Sequence, residues 1–581
     1  MKANTYETEP VILPYPETTM YGAVKRSAEK YPKAIAYDFM GKQTSYAKMI
    51  QNVDCAARAL VASGIHRGDA VTICMPNTPQ AIVCLYALNR IGAVANMIHP
   101  FSSQKEITFY LDYSDSRMIL TLDLFYEKVA LAREEAKRKD TVILTARMQD
   151  ELYPHQAFGF WLKKGRSVSQ FPNRENSVTW KDFLKRAETV TQLPEMIYDP
   201  DKPSVLLYSG GTSGTPKGIM LSDFNFNALG MQIREAAGVV FHPGLKFLSV
   251  MPLFHGFGLG IGIHTILENG MTCVLVPQFT NDSYAQLVVK QKPNFIAGVP
   301  TIYASLLKSQ RLEHADLSCL DGVYSGGDSL PTDLKHRFDA FLREHNGKVQ
   351  IREGYGLTEC VTASCLTPVD TYKDGSIGLP LRDMHYRIVE PGTFREKAYG
   401  EVGEIIISGP TLMLGYLNNP EETAAALKTD ENGTTWLFTG DLGAMDSDGY
   451  VYYKQRMKRM IITSGYNVYP SQVENVLDAY PDIDYSCVIG VPDERKMQRI
   501  RAYIVLKPGV KPSEEEKTNI LEHCKLYLAG YAKPKEIIFR DELPRTLVGK
   551  VAFHVLEEEA AAEFSARNET QTETQTEETK D

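Results

Sequence analysis

The sequence predicts an α/β protein. It has a large N-terminal domain of doubly wound α/β layers with a β-rich subdomain, then a small α+β C-terminal domain. Three observations carry this. Short apolar runs alternate with segments of helical period through the first half. From Gly400 the pattern changes to short strands separated by turns. After Arg456 a compact stretch with β-rich and helical pieces runs to about His554. The implied organisation is a large domain over 1–456, a small one over 457–560 and an acidic tail over 561–581.

Taken in order, residues 21–31 and 46–63 repeat apolar side chains at helical spacing. Residues 70–75 are a short apolar run before the turn at Pro76-Asn77. Residues 78–91 are helical again, with Thr78 as N-cap and Pro79 at the first helical position. The run 93–98 follows, and strand-like runs return at 204–208, 219–221, 245–251, 271–277, 295–299 and 320–324. Strands separated by helices of this length predict parallel sheets with helices on both faces. The segment 152–176 breaks the alternation. It is aromatic and basic (Phe158, Phe160, Trp161, Lys163, Lys164, Arg166), which suits either a membrane-surface contact or an excursion whose aromatics pack on the domain. Further on, 403–407, 436–438 and 449–454 read as short strands, with Asp441 in a turn between the last two.

Composition narrows the function. The chain of 581 residues has a formal charge of −9, and residues 557–581 contribute −7 of it through nine acidic and two basic side chains. The body is near neutral, without the basic excess that nucleic-acid binding by counterion release requires, so no nucleic-acid partner is expected. The tail has few apolar residues and is expected to be disordered. Nine cysteines without a Cys-x-x-Cys pair predict reduced thiols rather than a zinc site or disulfides. The start, MKANTYETEP, lacks the basic-then-apolar build of a secretory leader, and no apolar run approaches a membrane span. A cytoplasmic protein is expected, membrane-peripheral if the aromatic-basic segment touches lipid.

The strongest motif is Tyr208-Ser209-Gly210-Gly211-Thr212-Ser213-Gly214-Thr215-Pro216-Lys217-Gly218. Glycines let the backbone curl with its N–H groups inward, and the hydroxyls add donors, so the loop can cradle phosphate oxygens. A Walker loop needs Gly-Lys-Ser/Thr opening into a helix. Here Pro216 precedes the lysine, Gly218 follows it, and 219–221 is strand-like. The plain alternative is a Gly-rich hairpin without a ligand.

At this loop the chain resembles the adenylate-forming superfamily, and most resembles its bacterial medium- or long-chain fatty acyl-CoA synthetases. The other motifs follow in the family's order. They are Met251-Pro252-Leu253-Phe254-His255-Gly256, Ser325-Gly326-Gly327, Gly354-Tyr355-Gly356-Leu357-Thr358-Glu359, Thr439-Gly440-Asp441, Arg456-Met457-Lys458, Ser464-Gly465-Tyr466-Asn467 and Pro544-Arg545-Thr546-Leu547-Val548-Gly549-Lys550. The resemblance covers roughly 20–555. Gly210 stands where the family usually has Ser or Thr, and Gln455 where Gly or Asp is more usual.

The resemblance implies ATP-dependent activation of a carboxylic acid to acyl-AMP with release of pyrophosphate, then transfer to CoA. ATP, Mg²⁺ and CoA are the expected cofactors and co-substrates. Ser209, Gly211, Thr212, Ser213, Gly214 and Lys217 would hold phosphates; Gly326, Gly327, Tyr355 and Gly356 the adenine; Thr358 the α-phosphate; Asp441 and Arg456 the ribose. Glu359 supplies a hard oxygen for the metal. Lys550, Thr212 and Glu359 are the catalytic candidates, Lys550 clamping carboxylate and α-phosphate. His255, Phe257 and Gly327 would line the acyl pocket, whose neighbouring glycines leave room for a chain. Lys458 would be the hinge of a mobile small domain, and Gly465 with Tyr466 the CoA channel.

Gly326-Gly327-Asp328-Ser329-Leu330 also spells the phosphopantetheine attachment signature of carrier proteins. It ends an apolar run at the adenine position rather than sitting in a small helical domain, and is read as a decoy. About thirty residues follow Lys550, which leaves no room for a carrier domain and makes CoA the default thiol. Three alternatives stay open: an acyl-AMP ligase loading a separate carrier protein, an aryl-CoA ligase, and a nucleotide-binding regulatory relative. Glu359 and Lys550 together argue against the last.

Overall fold

The computed structural model describes residues 5–6, 15–160, 176–209, 216–463, 466–493, 497–528, 530, 532–546 and 551–564. These form two compact units, one of Thr5–Arg387 with Ile406–Phe438, the other of Ile388–Ile405 with the chain from Thr439 onward.

The first unit contains two twisted sheets. One has eight strands, in the order Gly415–Tyr416, Lys217–Ser222, Pro203–Ser209, Val94–Met97, Ala70–Cys74, Met118–Leu122, Val142–Ala146 and Ser177–Thr179. From Pro203–Ser209 outward every pairing is parallel, whereas Lys217–Ser222 pairs antiparallel on both sides. The other has nine strands and a parallel centre: Ile351–Tyr355, Gly322–Gly326, Phe295–Gly298, Lys246–Ser249, Thr272–Leu275 and Ile35–Phe39. The central strands are buried on both faces, as their continuous apolar runs require.

The helices follow their sequence signals. Met20–Lys30 and Tyr46–Ala62 are capped by Thr19 and Ser45. In Pro79–Ile91 the Thr78 side chain accepts from the Ala81 N–H, Pro79 opens the first turn, and Gly92 closes the helix at φ +74°. Almost every residue of this helix is buried, because it lies between layers rather than on the surface.

One expectation changes. Residues 436–438 are not a separate strand before a turn: Thr435–Met445 is one eleven-residue strand, and Asp441 lies inside it. Gly440 at φ +69° and a register shift after Leu442 bend the strand without ending it, as a bulge does. In the aromatic-basic segment Pro154–Phe160 form a helix, in which Phe158 is 61% exposed. Residues 161–175 lie outside the described residues.

In the second unit Tyr466–Val468, Ile461–Thr463, Met497–Leu506 and Ile483–Asp493 form an antiparallel sheet, which Glu536–Phe539 extends in parallel. Its core gathers Ile461, Val473, Leu477, Val488, Ile504 and Ile520 from sheet and helices. A second cluster seats the helix 553–564 through Leu556 and Ala560 on Ile489, Val491 and Tyr503. Among the described residues no helix is long and apolar enough to cross a membrane.

Candidate active site

In the first unit the loop 210–216 joins two antiparallel strands whose last paired residues are Ser209 and Lys217. Residues 210–215, and with them Gly211, Thr212, Ser213 and Gly214, lie outside the described residues. The strand pair holds the loop's flanks face to face, which a strand-to-helix Walker loop does not do. Lys217 Nζ lies 2.5 Å from Glu422 Oε2 and 4.9 Å from the centre of the Tyr416 ring.

The same tyrosine reaches the metal candidate. Tyr416 donates its hydroxyl to Glu359 Oε1 at 3.0 Å, and Ser209 donates to the same oxygen at 3.5 Å. Both bonds fall on Oε1, so among the described residues Oε2 is left for a hard cation. One carboxylate oxygen together with substrate phosphates is the donor set that Mg²⁺ commonly takes, and these residues fit it. Among the described residues no group of three or more His, Cys, Asp or Glu side chains could hold a metal by itself. Tyr416 and Glu422 were not expected from the sequence. Their signal is tertiary: Ile219 pairs with Tyr416, and Glu422 sits in the short helix Pro420–Ala426 capped by Asn419.

Glu359 and Thr358 lie in a single turn, Thr358–Cys360, just beyond the strand Ile351–Tyr355 that delivers Tyr355 and Gly356. The Glu359 carbonyl accepts from the Met413 N–H at 2.8 Å, which ties the turn to a neighbouring segment. Gly326 ends the adjacent parallel strand, paired with Gly354, and Gly327 continues at φ +83°, a conformation that suits glycine. Glu353, buried below Tyr355, accepts from the Leu330 N–H at 2.9 Å and so fastens the 326–330 loop to this strand. Burial pushes its carboxyl up to about 8. A strand-ending Gly-Gly built into a nine-stranded sheet accords with reading the carrier signature as a decoy.

Asn77 positions the aromatic element. Its Nδ2 donates to the Ser249 and Met251 carbonyls at 2.9 and 2.8 Å, and its Oδ1 accepts from the Leu253 N–H at 2.9 Å, all buried. The chain beyond turns at His255, whose Nδ1 accepts from the Phe257 N–H at 3.2 Å, so a neutral ring carries its proton on Nε2. It then enters a π-helix, Phe257–Thr265, a rare form that recurs at functional sites. The Phe257 ring lies against Gly326, where a Cβ would meet it at 3.4 Å. The neighbouring glycines do not leave open room for a chain, contrary to expectation. A Cβ on Gly256 would lie 1.7 Å from the Val361 carbonyl oxygen, one on Gly258 2.0 Å from that of Pro252, and one on Gly260 2.8 Å from Leu229. They are small because protein packs against them.

In the second unit Asp441 pairs across the strands with Arg456, with Nε 3.4 Å from Oδ1. Asp441 is buried and Arg456 exposed. Thr439 Oγ1 accepts from the Asp441 N–H at 3.0 Å, and Glu404 takes the Gly440 N–H at 3.1 Å, which fixes the bulge. Gln455 is almost fully buried beside Arg456. Lys458 lies in the turn Met457–Arg459 between two strands. Tyr466 opens the strand Tyr466–Val468, and Gly465 lies outside the described residues.

Lys550 also lies outside them, but both ends of its loop are clamped. Arg545 and Val551 form an antiparallel bridge, and the Ala552 N–H donates to the Pro544 carbonyl at 2.7 Å. The helix after it is anchored by Arg501, which is 2% exposed and contacts Glu536 at 2.8 Å and Glu563 at 2.9 Å. Arg540 adds a bond to Glu559 at 2.8 Å.

Comparison with known proteins matches two parts of the chain. Residues 24–417 match the family described as AMP-binding enzyme, and residues 472–550 match the AMP-binding enzyme C-terminal domain. A long-chain-fatty-acid–CoA ligase of Bacillus subtilis is 34% identical over 94% of this chain and 95% of its own. The protein of the same name from Escherichia coli O157:H7 is 30% identical over 92% and 93%. The crystal structure of ATP-bound MatB from Rhodopseudomonas palustris superposes with a TM-score of 0.79 at 26% identity, covering 93% of this chain and 98% of that one. With its motifs in the family's order and both parts of the family matched, the chain belongs to the AMP-binding enzymes, the adenylate-forming superfamily that its sequence resembles.

Proposed function

We propose that this protein activates a medium- or long-chain fatty acid with ATP and passes the acyl group to CoA. The observation that carries the reading is the likeness to long-chain-fatty-acid–CoA ligases, which runs at 34% identity through both parts of the chain. In the first step a carboxylate oxygen attacks the α-phosphorus and pyrophosphate leaves. In the second the CoA thiolate attacks the acyl carbonyl and AMP leaves. Both steps are helped chiefly by positioning and by charge placed where the transition state needs it.

In this reading Ser209, Lys217 and the loop 210–215 hold phosphates. Tyr355, Gly356, Gly326 and Gly327 take the adenine, and Asp441 with Arg456 accepts and orders the ribose. Thr358 donates to the α-phosphate. Glu359, oriented by Tyr416 and Ser209, would hold Mg²⁺, which when bound neutralises phosphate charge. His255, Phe257 and Gly327 border the acid, and Lys550 clamps carboxylate to α-phosphate. Lys458 is the pivot about which 457–560 turns between the steps, and Gly465 with Tyr466 then flanks the pantetheine arm. We assign the reaction to the cytoplasm, with a peripheral membrane contact through exposed Phe158 and Met40, whose carbonyl accepts from Gln156.

The test is a chain-length series in which acid-dependent pyrophosphate release is followed with and without CoA. Each buried methylene contributes up to about 0.8 kcal/mol, so kcat/KM is expected to rise by up to about fourfold per carbon from C4 toward C8 and beyond. Acetate, benzoate or an amino acid outrunning every fatty acid would overturn the substrate. Adenylation without CoA-dependent AMP release would move the acceptor to a carrier protein.

A further inference from the structure

The turn that carries Glu359 is followed by a strained residue. Val361 has φ +62° and ψ −59°, and the Thr362 N–H donates to the Cys360 carbonyl across it at 2.7 Å. This is the φ-positive form of the γ-turn, the rarer and costlier one. Among the described residues the other non-glycine residues of positive φ are Met, Asp, Asn or Lys, and Val361 alone is β-branched. A β-branched side chain in this region persists only where its surroundings impose it.

The surroundings are the aromatic-glycine element. Val361 is fully buried, its carbonyl lies where a Cβ on Gly256 would be, and its Cγ1 would stand 3.0 Å from a Cβ on Gly260. On the other side the Thr362 carbonyl lies where a Cβ on Gly356 would fall, and Ser364 N–H donates to the Tyr355 carbonyl at 2.9 Å. Gly256 and Gly260 flank Phe257, whereas Val361 is two residues from Glu359. A strained turn is thus wedged between the element assigned to the acid and the one assigned to the metal and nucleotide.

We propose that Val361 is a positioning residue for adenylation: its buried γ-turn, seated on Gly256 and Gly260, fixes the Glu359 carboxylate relative to the acid's element. The inference rests on Glu359 as the metal-binding carboxylate. If the seat is loosened, the turn relaxes toward ordinary backbone and the carboxylate shifts, while the thiol step, which needs no metal on the phosphates, is spared.

Val361→Ala keeps a side chain that dislikes positive φ but removes the methyls that hold it down. Relief of one strained residue corresponds to about a tenfold fall in acid-dependent pyrophosphate release, accompanied by a higher half-saturating Mg²⁺. Thioester formation from preformed acyl-adenylate and CoA should stay within about twofold of wild type. Val361→Thr, which keeps the branched shape, should restore both the rate and the Mg²⁺ requirement. Gly260→Ala pushes on Val361 from the opposite side and should raise the Mg²⁺ requirement too, so the idea remains testable if Val361→Ala fails to fold. An unchanged Mg²⁺ requirement in the folded variants, or equal damage to both steps, would overturn the proposal. Glu359→Gln is the control. If it shifts the Mg²⁺ requirement and the Val361 and Gly260 variants do not, the positioning role alone is wrong; if Glu359→Gln shifts nothing, the metal assignment beneath it is wrong.

Discussion

Replacing Lys550 by alanine is expected to slow adenylation by ~10²–10³-fold while thioester formation from preformed acyl-adenylate stays near the wild-type rate. The magnitude is that of removing one donor aimed at charge developing in a transition state. The asymmetry follows from the chemistry. Carboxylate and α-phosphate repel one another as they approach, and an ammonium between them offsets that repulsion. The thiol step has no such encounter. On either side of the segment that carries Lys550, Arg545 and Val551 form an antiparallel bridge, and Arg501 holds Glu563 of the following helix. Two rates measured on one folded preparation check it. Equal loss in both would make Lys550 a structural residue.

Glu359→Gln keeps the side chain's shape and its capacity to accept from Tyr416, but removes the charge. Adenylation at a fixed Mg²⁺ concentration is expected to fall by about 10²-fold, equivalent to about 2.7 kcal/mol of lost charge stabilisation. Raised Mg²⁺ should recover part of that rate, whereas a nucleotide-contact residue without a metal role would not respond. Titrating Mg²⁺ at saturating ATP and acid separates the two. Wild-type behaviour in Glu359→Gln would make the Tyr416–Glu359–Ser209 cluster a packing feature.

Much of this was legible in the sequence, because the informative features are local. Thr78-Pro79 announces a helix start, and the parallel strands appear as short apolar runs because burial on both faces forces them to be. The ordered motifs carried the family and pointed to Glu359, Asp441 and Lys550. What escaped is tertiary. Tyr416 reaches Glu359 only because its two-residue strand pairs with Lys217–Ser222, and nothing in Gly415-Tyr416 signals a partner 57 residues away. Gly256 and Gly260 looked like space for a substrate, but the Val361 carbonyl fills it at Gly256, and Leu229 with the Val361 side chain at Gly260. Asp441 looked like a turn residue because it follows the apolar Leu437-Phe438 and precedes a second strand-like run, whereas pairing with Arg456 carries the strand through the bend.

The central claim is that an acyl-adenylate lies between acid and thioester, and the fate of one oxygen atom tests it most directly. Incubate the protein with palmitate labelled with ¹⁸O in its carboxylate, ATP, Mg²⁺ and CoA, and weigh the phosphate products by mass spectrometry. If the carboxylate attacks the α-phosphorus, thiolysis leaves that oxygen behind, so the AMP carries one ¹⁸O and the pyrophosphate none. Label in inorganic phosphate with ADP as the nucleotide product, or palmitoyl-CoA formed with unlabelled AMP, would contradict it.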